Sequence, residues 1–323
     1  MPVDVREPGL ATTVQDLGRP GQYNVGIPPS GALDLGSARM ANMLVGNPED
    51  AAVLEAPYMA PTLGFTEPTV VAVTGADLEP RLNGVSVPTW QSFEVQAGDE
   101  LSFGYLRSGA RVYIAAAGGF DVPHVLGSRS TYALGALGGH EGRALRAGDV
   151  LPLGAERRGA AGRAVPADLV PVFSREVELR VVLGLYDYRL SGQGREVLLS
   201  ADWALTPVAD RTGFRYSGAT LEFVERTQPF GAGSDPSNIV DAGYPIGSIQ
   251  VPGGVEPIIL HRDAVSGGGY AMVGTVISSD LDLVAQCSPG TRTRFVPVTL
   301  EQALAARAEK HRYLEKVRRA VAA

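Results

Sequence analysis

The feature that most constrains the fold of this chain is its density of glycine and proline. The 323 residues include 40 glycines and 23 prolines, which divide the apolar residues into short runs. Glycine frees the backbone, and proline fixes φ and removes a hydrogen-bond donor, so neither suits the interior of a long helix. Runs such as TVVAVTGA (69–76) and RVYIAAAGGF (111–120) are rich in β-branched or aromatic residues. This pattern predicts a mainly β protein with few helices.

The length of the chain is more natural for two domains than for one hydrophobic core. Residues 154–171, GAERRGAAGRAVPADLVP, are small, polar and proline-containing, which is typical of a linker. Strand-like runs resume at ELRVVLG (178–184), REVLLS (195–200) and ATLEFVE (219–225). We therefore predict tandem β-barrel-like domains over residues 1–160 and 161–298, followed by a C-terminal helix over residues 299–323.

Two helices have local start signals. Asp34 can cap a helix over residues 34–45, which Gly46 then ends. Residues 299–302 have the form T-x-x-Q, a capping box that begins the C-terminal helix. The predicted apolar face of that helix consists of Leu300, Leu304, Ala308, Leu314 and Val317.

Composition excludes several classes of function. The net charge is −7 and no basic patch precedes the C-terminus, so we expect no nucleic-acid partner. No apolar run approaches the roughly 18 residues of a membrane helix, and the N-terminus lacks the features of a secretory signal. One cysteine and four histidines without metal-ligand spacing predict neither a disulfide nor a metal site. These features together predict a cytoplasmic protein.

The distribution of lysine is a sharper constraint. Of 28 basic residues, only Lys310 and Lys316 are lysines, and both lie in the C-terminal tail. The globular body therefore offers no lysine for a Schiff base, a nucleotide-binding phosphate loop or a biotin attachment site. We expect that biotin is not bound covalently to this chain, and that any lysine contact with ATP phosphates comes from another polypeptide.

The first segment with candidate site residues is TTVQDLGRPGQYNVGIPPSGALD (12–34). Its glycines and prolines predict a shaped loop that holds Gln15, Asp16, Arg19 and Ser30. In one interpretation the loop is structural, with Asp16 capping a turn and pairing with Arg19. In the other it forms a pocket wall, in which Arg19 binds an anion.

The second segment is GSRSTYALGALGGHEGR (127–143). Its Gly138-Gly139 pair suits a tight turn, and Arg129 and Ser130 are of types that bind carboxylate or phosphate. A surface loop between strands is the alternative interpretation. The absence of a lysine after the glycines excludes a phosphate loop.

The third segment spans residues 241–270. Gln250 lies in an apolar run, where a buried amide needs hydrogen-bond partners. His261 titrates in a range suited to proton transfer, and Asp263 is the alternative base. A structural histidine at a strand end is the competing interpretation. The HRD tripeptide (261–263) does not indicate a kinase, because the other kinase motifs are missing.

Three segments of the chain carry a family resemblance: TTVQDLGRPGQYNVGIPPSGALDLGSARMANMLVGN (12–47), SRSTYALGALGGHEGRAL (128–145) and GSIQVPGGVEPIIL (247–260) followed by GGGY. Together they resemble the allophanate hydrolase subunit 2 family, also called the biotin-dependent carboxyltransferase-like family. The resemblance covers roughly residues 3–298, and within the family it is strongest to the 5-oxoprolinase C-subunit type. It implies tandem cyclophilin-like β-barrels, a subunit-B-like partner of related fold and a separate hydrolase subunit. The implied reaction is ATP-dependent opening of a small cyclic amide, 5-oxoproline, to glutamate.

The resemblance implies roles for further site residues, and at one position this chain departs from the family pattern. Substrate binding is implied for residues in the matching segments: Gln15, Asp16, Arg19, Ser30, Arg129, Ser130, Gln250, Arg262, Gly268, Gly269 and Tyr270. Many members of the family read roughly D-R-Q-T-T-G-G-Y-P-K where this chain has RDAVSGGGYAM (262–272). Ala264, Val265 and Ser266 thus replace Gln-Thr-Thr, which leaves the substrate open.

Two other functions remain open. One is the carboxyltransferase component of a biotin-dependent, urea-type carboxylase that works with a separate biotin carrier. The other is a binding protein without turnover, which sequesters a partner resembling a kinase inhibitor.

Overall fold

The computed structural model describes residues 2–155 and 161–322, which form a mainly β protein. They divide into two compact units. The first contains Met1–Arg19, Ser30–Phe173 and Arg312–Ala323, and the second contains Pro20–Pro29 and Ser174–His311. Residues 156–160, which include the predicted boundary and part of the predicted linker, lie outside the described residues. No helix among the described residues is long and apolar enough to cross a membrane.

The described residues of the first unit form two antiparallel sheets, one complete α-helix and the C-terminal part of the last helix of the chain. Its elements are β1 (Pro2–Glu7), β2 (Thr13–Gln15), α1 (Leu35–Leu44), β3 (Val53–Pro57), β4 (Thr62–Phe65), β5 (Thr69–Asp77), β6 (Pro80–Leu82), β7 (Val85–Ser86), β8 (Ser92–Val95), β9 (Glu100–Phe103), β10 (Ser108–Ala116) and β11 (Val150–Pro152). The strand orders are β11-β1-β4-β9-β6-β7 and β2-β3-β10-β5-β8. Alternate residues of both sheets, including Val3, Leu54 and Val71, bury one shared apolar core.

The second unit is built on a closed seven-stranded barrel. Its elements are β12 (Glu176–Leu183), α2 (Gly192–Ser200), β13 (Trp203–Ala209), β14 (Gly213–Ser217), β15 (Asn238–Gly243), β16 (Ser248–Gln250), β17 (Ile258–Leu260), β18 (Gly267–Tyr270), β19 (Met272–Val276), α3 (Leu281–Gln286) and β20 (Arg292–Pro297), after which α4 (Leu300–Ala322) begins. The barrel order is β12-β19-β16-β17-β14-β13-β20, and parallel pairing of β12 with β20 closes it. Strands β15 and β18 form a separate two-stranded antiparallel sheet.

Both predicted helix starts are confirmed. The Asp34 side chain accepts from the backbone N–H of Ser37 at 2.9 Å, which caps α1. At α4, the N–H of Thr299 donates to Gln302 Oε1 at 2.8 Å, and the N–H of Gln302 donates to Thr299 Oγ1 at 3.2 Å. This reciprocal pair is the predicted capping box.

Three finer predictions were wrong. The run REVLLS lies in α2 rather than in a strand, because Ser191 accepts from the N–H of Gly194 and caps a helix there. The run ATLEFVE forms only an isolated bridge at Phe223. In α4 the buried residues include Leu314 and Val317, but Leu300 and Leu304 are exposed.

Candidate functional site

Of the predicted site residues, six lie in the first unit and seven in the second. The first group is Gln15, Asp16, Arg19, Ser30, Arg129 and Ser130. The second group is Gln250, His261, Arg262, Asp263, Gly268, Gly269 and Tyr270.

Asp16 connects two of the glycine-rich segments in the first unit. It follows β2 and is buried. Its carboxylate accepts from the N–H of Gly18 at 2.7 Å, the hydroxyl of Ser128 at 2.6 Å, the N–H of Arg129 at 2.5 Å and the hydroxyl of Ser130. All four donors are uncharged. Segments 12–34 and 127–143 therefore meet around one carboxylate, whose oxygens are occupied by the loop itself.

Arg19 is buried in the same cluster. Its Nη2 donates to the carbonyl oxygen of Ser130, and its Nε is 3.5 Å from the carbonyl oxygen of Val125. Gly138 lies against this contact with φ +68, and a Cβ there would be 2.6 Å from Arg19 Nη2 and 2.2 Å from the Ser130 oxygen. The sequence needs glycine at 138 because the backbone approaches the guanidinium closely.

Gln15 and Ser30 each hold a buried polar atom without a hydrogen-bond partner in the described part of the chain. Gln15 Nε2 donates to Thr13 Oγ1 at 2.9 Å and to the Thr131 carbonyl at 3.2 Å, which leaves Oε1 unpaired. Ser30 Oγ is likewise unpaired, on a backbone with φ 52. Most buried polar atoms have partners, so these two are candidate contacts for a ligand.

Arg129 contributes to the first unit through both its side chain and its backbone. Its Nη2 is 2.6 Å from Asp121 Oδ1 and its Nε donates to the Val122 carbonyl at 2.8 Å. Its backbone N–H donates to Asp16. The predicted role of the Arg129 side chain in binding a substrate anion stays a prediction, and it requires the ion pair with Asp121 to open.

His261 in the second unit is fully buried and contacts the protein through both ring nitrogens. Nε2 is 3.2 Å from the Leu281 carbonyl oxygen, so it carries the proton, and Nδ1 accepts from the N–H of Arg262 at 3.0 Å. The ring packs 5.5 Å from that of Phe214. This geometry favours the competing interpretation of a structural histidine, while the predicted proton transfer stays untested.

Asp263 is held by a partner that the sequence analysis missed. Arg211 Nε and Nη2 approach its two carboxylate oxygens at 2.7 Å and 3.2 Å, in a bidentate pair. Tyr23, from the Pro20–Pro29 segment of this unit, lies close by. Burial raises the pKa of Tyr23, with Arg262 opposing that shift and Asp263 adding to it. The Tyr23 hydroxyl is thus a protonated donor, and it has no hydrogen-bond partner among the described residues.

Tyr244 joins Gln250 to the GGGY segment. Its hydroxyl donates to the Tyr270 carbonyl at 2.7 Å and accepts from the Tyr270 N–H at 2.8 Å. Burial raises the pKa of Tyr244, and hydrogen bonds with the Tyr270 carbonyl and the Gln250 side chain oppose that shift. A Cβ at Gly268 would be 3.1 Å from the Tyr244 ring, so this position needs a small residue. The sequence analysis missed Tyr244, which lies in the third segment as part of G-Y-P.

Comparison with known proteins identifies what the chain resembles. Residues 25–297 match the family model described as "Carboxyltransferase domain, subdomain A and B". The chain is 35% identical over 309 residues to the C subunit of 5-oxoprolinase from Escherichia coli, which covers 96% of this chain and 95% of that protein. It is 32% identical to the C subunit of 5-oxoprolinase from Haemophilus influenzae, over 99% of this chain and 98% of that one.

Larger proteins contain a similar region. The urea amidolyase of Saccharomyces cerevisiae is 35% identical over 309 residues, and the chain spans only 17% of its length. The crystal structure of the Kluyveromyces lactis urea carboxylase superposes with a TM-score of 0.92 at 33% identity, over 98% of this chain and 29% of that one. These values confirm the resemblance drawn from the three segments.

Proposed function

The chain belongs to the carboxyltransferase domain family (subdomains A and B), and from this membership we propose that it is one component of an ATP-dependent 5-oxoprolinase. The observation that carries the proposal is the match to the C subunits of two 5-oxoprolinases along nearly their whole length. In this proposal the chain works in the cytoplasm, with a subunit-B-like protein and a separate hydrolase subunit, and it is inactive alone.

The chemistry of the proposed reaction explains the residue types. A lactam C–N bond is stabilised by resonance, so its carbonyl carbon is a poor electrophile. Transfer of the terminal phosphoryl group of ATP to the lactam oxygen makes that carbon reactive towards water. A first water adds to the carbon and the C–N bond breaks as the nitrogen is protonated, and a second water hydrolyses the resulting acyl phosphate to glutamate and phosphate. Such a site needs arginines and N–H or O–H donors directed at the carboxylate, the phosphoryl group and the lactam oxygen.

Several residues of this chain suit those tasks. The Gln250 amide offers a donor for a carbonyl oxygen, and the Tyr23 hydroxyl is an unpaired donor among the described residues. We assign proton transfer to Asp263 rather than to His261, because Asp263 lies near the unpaired Tyr23 hydroxyl, whereas His261 is fully buried with both ring nitrogens bonded to the backbone. The only lysines are Lys310 and Lys316. We therefore propose that a partner protein binds most of the ATP phosphates.

The test is reconstitution. The chain is purified alone and together with its two proposed partners, and ADP release is followed with and without 5-oxoproline. We expect release that depends on 5-oxoproline only in the full set, with a loss of at least tenfold in Gln250→Leu and wild-type rates in Arg294→Gln, an exposed arginine of the second unit. Absence of substrate-dependent ADP release from the full set would refute the proposal.

The alternative with structural support is a carboxyltransferase component that acts on a urea-like substrate. It is favoured by the TM-score of 0.92 to a urea carboxylase. It requires a separate biotin carrier, and it predicts carboxylated product from carboxybiotin and urea without ATP. The same preparation, assayed with free carboxybiotin, separates the two functions.

A further inference from the structure

Arg189 is a buried cation in the second unit. It ends the short helical turn Asp187–Arg189, and its side chain is 2% exposed. Nη2 donates to the carbonyl oxygen of Pro236 at 2.6 Å. Nη1 is buried and has no hydrogen-bond partner within residues 2–155 and 161–322, and no carboxylate in those ranges forms an ion pair with this guanidinium.

The charged groups near Arg189 do not compensate its buried positive charge. The acid of the same turn, Asp187, is paired with Arg195 instead. Burial lowers the pKa of Arg189, and the positive charge of Arg226 lowers it further. Arg226 uses its own donors on Gln228 Oε1, at 3.2 Å, and on the Asn238 carbonyl, at 3.4 Å. Two cations thus share one region, and in the described chain neither has an acidic partner.

Two other arginines of this unit have acidic partners, unlike Arg189. Arg180 has a bidentate pair with Asp280, at 3.0 Å and 2.6 Å, and Arg211 has one with Asp263. Burial of a charge is unfavourable unless an opposite charge or several hydrogen bonds compensate it. Among the described residues, the Arg189 side chain has one hydrogen bond, to a carbonyl oxygen, and a second cation nearby, and it pairs with no carboxylate.

The surroundings of Arg189 connect it to the candidate site. Its backbone N–H donates to the Tyr186 carbonyl at 2.9 Å. The Tyr186 side chain packs against the cluster that contains Tyr244, which is the residue that contacts Gln250. The segment 224–237, which supplies Pro236 and Arg226, contains neither helix nor strand, so few backbone hydrogen bonds resist its displacement by a ligand.

We propose that Arg189, assisted by Arg226, binds the carboxylate of a small organic ligand. An N–H of Nη1 can donate to a carboxylate oxygen in a charge-assisted hydrogen bond, and the Tyr186 and Tyr188 rings, whose centroids are 6.2 Å apart, provide an apolar wall for the rest of the ligand. A small molecule fits better than an acidic side chain of another protein, because Nη1 lies below the surface. The choice of 5-oxoproline as the ligand rests on the proposed function, whereas its binding is measured without turnover.

The test compares two ligands that share a ring and differ in charge: 5-oxoproline and its uncharged carboxamide. Binding of each to the purified chain is measured by calorimetry for the wild type, Arg189→Gln and Arg195→Gln. Arg195 is the matched control, because it is an arginine of the adjacent helix with an acidic partner of its own. We expect 5-oxoproline to bind at least tenfold more tightly than the amide in the wild type and in Arg195→Gln, and equally weakly in Arg189→Gln.

A second variant separates binding from folding. Arg189→Met removes the uncompensated charge, so its melting temperature without ligand should equal or exceed that of the wild type, whereas a purely structural arginine would lower it. Unchanged discrimination between the two ligands in folded Arg189→Gln would overturn the proposal. So would Arg189-dependent binding of inorganic phosphate without binding of 5-oxoproline, or no measurable binding of any of these ligands. Failure of ADP release in the reconstituted complex, by contrast, would leave Arg189-dependent binding intact.

Discussion

Asp16 in the first unit and Asp263 in the second are both buried acids in glycine-rich segments, yet they are held in different ways. Asp16 accepts four hydrogen bonds from uncharged donors of its own loop cluster. In the described part of the chain, the Asp263 carboxylate is paired with the guanidinium of Arg211. The first arrangement distributes one negative charge over many partners and fixes a loop. The second neutralises the charge with one partner.

The difference teaches which acid is available for chemistry. Asp16 cannot take a substrate proton without losing several of the bonds that shape its loop, so its role is to position neighbours such as Arg19. The Asp263 carboxylate is paired with one guanidinium among the described residues, so a shift of Arg211 would release both of its oxygens from that pair. Four substitutions test this contrast, beginning with the largest expected effect.

Asp16→Ala should be the most destabilising change, by about 4 kcal/mol, because several buried donors lose their acceptor together. Urea unfolding followed by circular dichroism measures the loss. Asp121→Ala is the control, because that acid is exposed and paired with Arg129. If the two variants were equally stable, Asp16 would not hold the segments together.

Asp263→Ala should cost about 3 kcal/mol, because it leaves Arg211 partly buried without its partner. The double variant Asp263→Leu, Arg211→Met removes both charges and should recover most of the loss. The same unfolding assay applies to both. A double variant as unstable as Asp263→Ala would show that the cost comes from packing rather than from the unpaired charge.

Gly138→Ala should cost about 2 kcal/mol, because the added Cβ meets the Ser130 oxygen on a left-handed backbone. Gly148→Ala is the matched control: its φ is +89, but nothing lies within 4 Å of the added Cβ. The control carries the backbone strain alone and should cost about 1 kcal/mol. Equal losses of stability in the two variants would mean that the close approach of Gly138 to Arg19 does not affect stability.

Asp149 offers the smallest effect and a pH dependence. Hydrogen bonds from Arg143 hold the pKa of Asp149 well below its ordinary value. Its contribution to stability, about 1 kcal/mol, is therefore present above the unfolded pKa of about 3.9 and is lost as the pH falls below it. Wild type and Asp149→Asn should differ at pH 7 and converge in strongly acidic solution. A difference that grows with acidity would reverse the assigned sign.

Local signals predicted the parts of the fold that depend on neighbours in sequence. The caps of α1 and α4 involve residues three positions apart, so Asp34 and the Thr299–Gln302 box could be read directly. The run REVLLS was misassigned because six residues are too few to distinguish a helical from a strand-like apolar pattern, and the signal that decided it was the cap at Ser191.

The sequence predicted which segments contribute residues to the candidate site, but not which residues contact each other there. Asp16 and Ser130 were both selected, although their contact spans 114 residues. Arg211 lies 52 residues before Asp263, in a run that shows nothing unusual by itself. Arg189 has no signal in the sequence for a related reason. What marks it is that no carboxylate of the described residues pairs with it, and this depends on the folded structure.

The closure of the second barrel has a consequence for biosynthesis. Strand β12 pairs with β20, so Glu176 meets Arg292 only after more than a hundred intervening residues have been made. The chain leaves the ribosome from its N-terminus onwards. The edge of β12 that pairs with β20 therefore stays unpaired until translation is almost finished. Truncations that remove β20 should therefore expose this edge to aggregation rather than yield a smaller stable barrel.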